Sequence, residues 1–184
     1  MVGDHVGYWW EYAFTGGLEG ALALDGAGSL FARVSGIGAG SQGLDAAGSN
    51  FDDPYQEKLE LEDAYLGWRS GSLFPRLGEN ALELSFGKQK YQIGNGFFMW
   101  DGASDGGKRG AYWIGPRKAF YMTGIARLQT GPYKLEGFYL KPNDEAYTST
   151  DVVGSNFEYT AGETGVLGVS YLKIIDSHRE SRDG

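Results

Sequence analysis

Large apolar and polar side chains alternate along much of this chain with a period of two. In Leu82–Gly87 leucine and phenylalanine occupy every second position, with acidic or small residues between them. The same alternation runs through Tyr133–Tyr139 and through His5–Phe14, where one face is entirely large and apolar or aromatic. Neighbouring side chains of a β-strand point to opposite faces of a sheet, so the pattern predicts strands with one apolar and one polar face.

Segments of this kind recur along the whole chain, about nine in number, and none has a clear helical period. Lys58–Trp68 also fits a period of 3.6, but the alternation at its start and the Gly67-Trp68 pair at its end favour a strand. The predicted strands are His5–Phe14, Leu18–Leu24, Leu30–Ile37, Lys58–Trp68, three segments within Ala81–Pro142, Asn156–Thr160 and Val166–Ile175.

Glycine-rich and polar segments separate these strands. Gly16-Gly17 is predicted to turn the chain, and Asp25–Gly28 to form a hairpin. The segments Gly38–Pro54 and Asn143–Gly154 are predicted to be loops, and Gly162–Gly165 to join the last two strands. Strands spaced roughly 8–12 residues apart with glycine turns are typical of an antiparallel sandwich or barrel.

The composition suits strands that carry aromatic side chains to a surface. The chain has 31 glycines and 15% aromatic residues, and its mean hydropathy is −0.35. It has no cysteine, which excludes a disulfide framework and a thiolate metal site. No apolar segment approaches the ~18 residues of a transmembrane helix. No basic and apolar leader precedes Gly3 and the C-terminal SHRESRDG is polar, so we expect a piece of a longer chain.

The basic residues are concentrated in one part of an acidic chain. The formal net charge is −8, which argues against nucleic acid as a partner. Leu84–Leu135 nevertheless contains eight of the sixteen basic residues and only two of the twenty-four acidic ones. A local positive field can attract an anion that the net charge would repel.

Two architectures fit the alternation, a soluble sandwich and an outer-membrane barrel. Tyrosine and tryptophan recur near strand ends, where the membrane interface favours amphipathic rings. Charged residues lie in mid-strand on the polar face, and short turns such as Gly131-Pro132 alternate with long segments such as Gly94–Pro116. Both features favour the barrel. The alternative is a soluble, secreted β-sandwich that binds carbohydrate.

Four segments, LELEDAYLGW, LELSFGKQKYQIGNGFFMWDG, GKRGAYWIGPRKAF and GPYKLEGFYLKPND, resemble the alginate export family of bacterial outer-membrane barrels. The resemblance covers Leu59–Asp144, and Gly87-Lys88-Gln89 is its most family-like element. It implies an antiparallel barrel of about eighteen strands that passes an anionic polysaccharide through an arginine-lined pore. Residues 1–184 would then be a single segment, about eight or nine strands, of a larger transmembrane β-barrel.

The expected function is an outer-membrane porin or export channel for a hydrophilic solute, an anionic saccharide being one class, with membrane lipid as the other partner. A ring of charged side chains selects solutes by charge in such pores. At strand ends, basic residues can instead anchor a barrel in the interface, and Lys88 shares the parity of the apolar residues, which favours that role for it. Of the basic residues, Arg127 and Lys134 are those that we most expect to face the lumen. The predicted pore residues are Lys90, Arg109, Arg117, Lys118, Arg127 and Lys134.

Other chemistry has little support, so no enzyme, cofactor or metal is predicted. Gly38–Gly43 matches the dinucleotide fingerprint, but no amphipathic helix follows, and a flexible loop is expected. Asp101–Gly106 resembles the start of a calcium loop, but Ala103 and Tyr112 replace two ligands, which favours a solvated turn. No Gly-x-Ser-x-Gly motif occurs, and His5 and His178 are far apart in the sequence, so a catalytic triad has no support. Glu60 and Glu62 could form a carboxylate pair for glycoside hydrolysis, but neighbours on a solvated strand face need no such role.

The segment between the first two central strands is unusually aromatic for a surface loop. Packing on the barrel wall is the favoured interpretation, and a constriction within the pore is the other. Aromatic faces also stack on sugars, which suits a carbohydrate solute. The aromatic and apolar residues concerned are Phe97, Phe98, Met99, Trp100, Tyr112 and Trp113.

Overall fold

The computed structural model describes residues 8–43, 55–99, 101–103, 109–143 and 148–179. These residues form one eight-stranded antiparallel sheet in which each strand pairs with its neighbours in sequence. The all-β antiparallel prediction is confirmed. The strands are β1 (Trp9–Leu24), β2 (Gly28–Gly43), β3 (Tyr55–Arg69), β4 (Leu82–Gln89), β5 (Phe120–Thr130), β6 (Tyr133–Lys141), β7 (Thr148–Ala161) and β8 (Gly165–Arg179). None of the described residues forms a helix long and apolar enough to cross a membrane.

Several predicted elements are confirmed, and three are wrong. Residues 58–68 lie in a strand, and hairpins form at residues 25–27 and 162–164. Gly16-Gly17, however, lies inside β1, Gly38–Gly43 completes β2, and β7 begins within the predicted loop, at Thr148. The first error explains why about nine strands were predicted and eight are found.

Glycines within the strands make room for aromatic rings on the neighbouring strand. Phe14 lies opposite Gly38, and Tyr12 lies opposite Gly40. A methyl group built on either glycine would collide with the facing ring. Phe138 of β6 lies over Gly154 of β7 in the same way. Within the Gly38–Gly43 segment, Gly38 and Gly40 therefore each seat a ring of β1, a long-range contact that local composition does not reveal.

Replacing Gly38 by valine tests this packing. We expect the free energy of unfolding to fall by about 1–3 kcal/mol, because the new side chain must displace the Phe14 ring. The matched control is Gly20→Val, since a methyl group on Gly20 of β1 meets nothing within 4 Å. Urea titrations followed by tryptophan fluorescence would measure both variants. An equal loss of unfolding free energy in both variants would contradict the explanation that Gly38 makes room for the Phe14 ring.

The two ends of the sheet differ in the length of their connections. At one end, here called the short-turn end, lie residues 25–27, 70–81, 131–132 and 162–164. At the other, the long-loop end, β2 ends at Gly43, β3 begins at Tyr55, and the described residues between β4 and β5 are found. These described residues within 90–119 are called the long loop below. The described strands β1 and β8 do not pair with each other, so the sheet is open at both edges.

The register assigns the side chains to two faces of opposite character. The apolar face carries residues such as Phe14, Leu18, Leu66, Phe86 and Val169, all of them exposed. The polar face carries most of the charged residues, and the long loop packs against it. A small apolar core lies under that loop, formed by Tyr91, Ile93, Phe120, Ile125, Phe138 and Leu140.

Candidate functional site

A row of polar side chains crosses the polar face from β3 to β8, and its members on β3 to β6 alternate in charge. The register places Arg69 opposite Glu83, Glu83 opposite Arg127, and Arg127 opposite Glu136. Because opposite charges directly across a strand pair attract, this order is favourable. The row, here called the ladder, consists of Arg69, Glu83, Arg127, Glu136, Asn156 and Ser170.

Side-chain hydrogen bonds connect the ladder without interruption. Arg69 Nε donates to Glu83 Oε2 at 2.6 Å, and Arg127 Nη1 donates to Glu83 Oε1 at 2.9 Å. Arg127 Nε donates to Glu136 Oε1 at 2.8 Å, and Asn156 Nδ2 reaches Glu136 Oε2 at 3.2 Å. The ladder therefore holds each guanidinium in a fixed orientation, with its charge balanced by neighbouring carboxylates.

Lys134 joins the ladder from the side. Its Nζ lies 3.0 Å from Glu136 Oε2 and 3.6 Å from Glu158 Oε2. Glu136 is fully buried and is the shared carboxylate of Arg127, Lys134 and Asn156. Removal of this one carboxylate would leave two cations close together.

The long loop is attached to the polar face by ion pairs centred on Glu60. Arg117 Nε donates to Glu60 Oε2 at 3.0 Å, and Arg109 Nε lies 3.5 Å from the same oxygen. Both arginines are almost fully buried. Arg117 Nη2 also donates to the carbonyl of Lys58, and Arg109 Nη1 to that of Asn143. Burial lowers the pKa of the Arg117 guanidinium, and the Glu60 carboxylate opposes this shift.

Carboxylates of the strands also receive backbone N–H groups of the long loop. Glu62 Oε1 accepts from the backbone of Lys118 at 2.8 Å and of Ala119 at 3.1 Å. Glu62 is the extra residue of a β-bulge opposite Ser35 and Gly36, so the bulge turns it towards the loop. On β1, Glu11 accepts in the same way from the backbone of residues 113 and 114.

An apolar contact holds the first part of the loop. The Tyr91 and Phe138 rings lie 4.9 Å apart between centroids. Ile93 belongs to the same buried cluster, and Met99 packs against it. Burial raises the pKa of the Tyr91 hydroxyl, so it stays protonated. Ion pairs, backbone hydrogen bonds and apolar packing thus fix the long loop against the polar face.

The six predicted pore residues do not form one ring. Arg109 and Arg117 meet at Glu60, whereas Arg127 and Lys134 meet at Glu136. The placement of Arg127 and Lys134 on the polar face agrees with their parity. Lys118 Nζ lies 2.8 Å from Asp101 Oδ2, while Lys90 is exposed.

The aromatic residues of the long loop divide into two groups. Met99 packs on the buried cluster, as expected for a wall contact. Phe97, Phe98, Tyr112 and Trp113 are exposed instead, and the last two meet edge to face at 5.2 Å. Trp100 lies outside the described residues. Of the described residues in this predicted group, Met99 therefore packs against the sheet, whereas the other four are exposed.

The remaining motifs also have clear positions. Gly38–Gly43 lies in β2 and not in a flexible loop. Asp101 Oδ1 accepts from the backbone of Ala103, so both oxygens of Asp101 are engaged by protein groups. Asp105, Gly106 and His5 lie outside the described residues. Among the residues that are described, no group of three or more His, Cys, Asp or Glu side chains has the arrangement of a metal site.

The acidic partners of the basic residues were the part that the sequence did not reveal. Glu83 and Glu136 have the parity of the polar face, which is a detectable signal. Which arginine each would meet depends on strand register, however, and that is not encoded locally. Arg117 and Arg127 of the locally positive segment consequently pair with acids from β3, β4 and β6.

Comparison with models of protein families finds no family that matches this chain. Comparison with curated proteins and with solved structures likewise finds no match. The resemblance to the alginate export family therefore stays a prediction, and the case for a function rests on the geometry of the two faces.

Proposed function

We propose that the chain forms part of the wall of an outer-membrane β-barrel channel for a hydrophilic solute, with no enzymatic role. The observation that carries this proposal is that the sheet exposes its apolar face and buries charged side chains on its polar face. Large apolar side chains are exposed, Phe14 at 63%, Leu18 at 78% and Val169 at 68%, while charged side chains are buried on the other face. Exposed apolar surface of this extent marks contact with a membrane or a partner.

The distribution of side-chain types along the apolar face supports contact with lipid. From Trp10 to Leu24 the β1 residues of this face include no charged side chain. Rings of Tyr133, Phe157 and Tyr159 pack together near the short-turn end. Towards the long-loop end of β6 this face carries Tyr139 and Lys141. An apolar band bordered by aromatic and charged residues is typical of a barrel wall.

The long loop on the polar face supports a barrel of more than eight strands. An eight-stranded barrel has an interior just wide enough for side chains. Here the polar face carries an entire backbone segment, the long loop. Further strands at the open edges of β1 and β8 would widen the barrel enough to enclose it. In such a barrel the long loop narrows the lumen, so it is the candidate constriction.

The soluble sandwich is less compatible with this geometry. A sandwich buries its apolar faces between two sheets. In the described part of the chain there is one sheet, and the long loop covers its polar face instead of its apolar one. Carbohydrate binding by a soluble module would leave the apolar face unexplained.

Labelling of single cysteines would test the proposal, because the chain has no cysteine of its own. Spin labels would be placed at the neighbouring pairs Leu18→Cys with Glu19→Cys and Val169→Cys with Gly168→Cys, in protein reconstituted in phosphatidylcholine vesicles. We expect the Leu18 and Val169 labels to be relaxed by lipid-soluble oxygen, and their neighbours by a water-soluble nickel chelate. Equal access of the chelate at all four sites, or a protein that stays monomeric in water without detergent, would refute the proposal.

A further inference from the structure

A cavity of about 440 Å³ lies at the short-turn end of the polar face. It is bounded on one side by the ladder residues Glu83 and Arg127, and on the other by the β3–β4 connection, residues 70–81. Its size is within the ~300–1,000 Å³ range of small-molecule sites. The side chains that line it include Leu77, Glu79, Asn80, Glu83, Arg127 and Gln129.

The ladder presents fixed hydrogen-bonding groups to this cavity. Arg127 uses Nε for Glu136 and Nη1 for Glu83, which leaves Nη2 for a further partner. The Arg127 side chain is one third exposed although both its carboxylate partners are mostly buried. Each Glu83 oxygen accepts one bond from an arginine and can accept another. A donor and an acceptor therefore lie side by side and are already oriented.

The opposite wall is held in place by its own hydrogen bonds. Asn80, at φ 53°, donates its backbone N–H to the Gly71 carbonyl at 2.8 Å, and its Oδ1 accepts from Gly71 N–H at 3.2 Å. Gln129 N–H donates to the Ala81 carbonyl at 2.8 Å, which joins this wall to β5. The cavity thus has two rigid sides with amide and carboxylate groups of Asn80, Gln129 and Glu79 between them.

The charge of the cavity decides which solute it suits. Among the lining residues, Glu79 and Glu83 carry two negative charges against the one positive charge of Arg127. Arg69, which pairs with Glu83, and Glu136, which pairs with Arg127, lie outside the lining. A carboxylated or phosphorylated solute would meet a net negative lining. A neutral sugar would instead donate hydroxyl hydrogens to the carboxylates and accept from the guanidinium and the amides, since each hydroxyl is both donor and acceptor.

From this arrangement we infer that the cavity is a binding subsite for a neutral saccharide, with Glu83 and Arg127 bonding adjacent hydroxyls and Glu79 and Gln129 bonding the remainder. The inference rests on the proposed channel function and names its solute class. It differs from the anionic saccharide that the resemblance implies, because the basic residues of this face are already neutralised by neighbouring carboxylates.

Calorimetric titration of the detergent-solubilised full protein would test the subsite. The neutral probes are maltotriose, cellotriose and mannotriose, and the anionic probe is trigalacturonate. We expect at least one neutral trisaccharide to bind at least tenfold more tightly than trigalacturonate. Glu79→Gln and Gln129→Leu should each weaken that binding about tenfold or more. Glu163→Gln, in the β7–β8 turn outside the cavity, should leave the affinity unchanged.

Three results would overturn the subsite: no binding of any neutral probe, binding of trigalacturonate as tight as that of the neutral probes, or full affinity in both cavity variants. The test is separate from that of the channel. A lipid-facing pattern of spin labels with no neutral-sugar binding would refute the subsite alone, whereas loss of the lipid-facing pattern would refute the channel itself. Glu79→Gln lies in a surface connection and keeps the side-chain size, so its result does not depend on a folding defect.

Discussion

Replacing Glu136 by leucine is expected to lower the free energy of unfolding by about 1–3 kcal/mol, the cost of removing the acceptor from several hydrogen-bonded partners. Glu136 is fully buried, and its two oxygens hold Arg127 at 2.8 Å and Lys134 at 3.0 Å. Without this carboxylate, two cations remain close together on the polar face. Urea titrations in detergent micelles would measure the loss.

The control for Glu136 is a glutamate that also pairs with an arginine but is exposed. Glu19 lies 2.9 Å from Arg33 and its side chain is 73% exposed. Glu19→Leu should cost less than about 1 kcal/mol, because water screens an exposed pair. A loss for Glu136→Leu as small as that of the control would contradict a structural role for the ladder.

Replacing Glu60 by glutamine is expected to release the long loop from the polar face while the strands stay paired. Glu60 is the shared carboxylate of Arg109 and Arg117, two arginines that are only 1% and 2% exposed. A neutral amide removes the carboxylate that both buried arginines share, and weakening the compensation of a buried charge is costly. Separation of the loop from the sheet would return both guanidinium groups to water.

Hydrogen exchange would measure this release. We expect the amides of residues 109–119 to exchange roughly 100-fold faster in Glu60→Gln, which corresponds to about 3 kcal/mol of local opening. Glu57→Gln is the matched control, since Glu57 lies on the same strand but bonds Tyr12 on the apolar face. Unchanged exchange of residues 109–119, or equal acceleration in β3 and β4, would show that Glu60 does not anchor the loop.

The strand content and the division into faces were accessible from the sequence because both are local properties. Leu82, Leu84 and Phe86 share a face in β4, and Arg127 and Lys134 lie on the other face of the sheet, as their parity predicts. The hairpin at residues 25–27 was equally accessible, since its turn residues favour one local conformation.

Glycine was the residue type that the sequence could not resolve. In Gly16-Gly17 and Gly38–Gly43 the same residue is compatible with a turn, a loop or a strand. At Gly38 a neighbouring strand brings the Phe14 ring over the glycine, and at Gly16-Gly17 the pairing with β2 continues through both residues. That neighbour is far away in the sequence, so composition alone predicted loops.

By itself the sequence determined an all-β antiparallel sheet with one apolar and one polar face, because a period of two requires no knowledge of the partner strand. Only the tertiary structure decided what the basic residues do. Arg117 meets Glu60 across 57 residues and Arg127 meets Glu83 across 44. Such pairs depend on register, on a bulge and on the path of the long loop. The physical result is a polar face on which the cations of a basic segment are balanced by distant carboxylates.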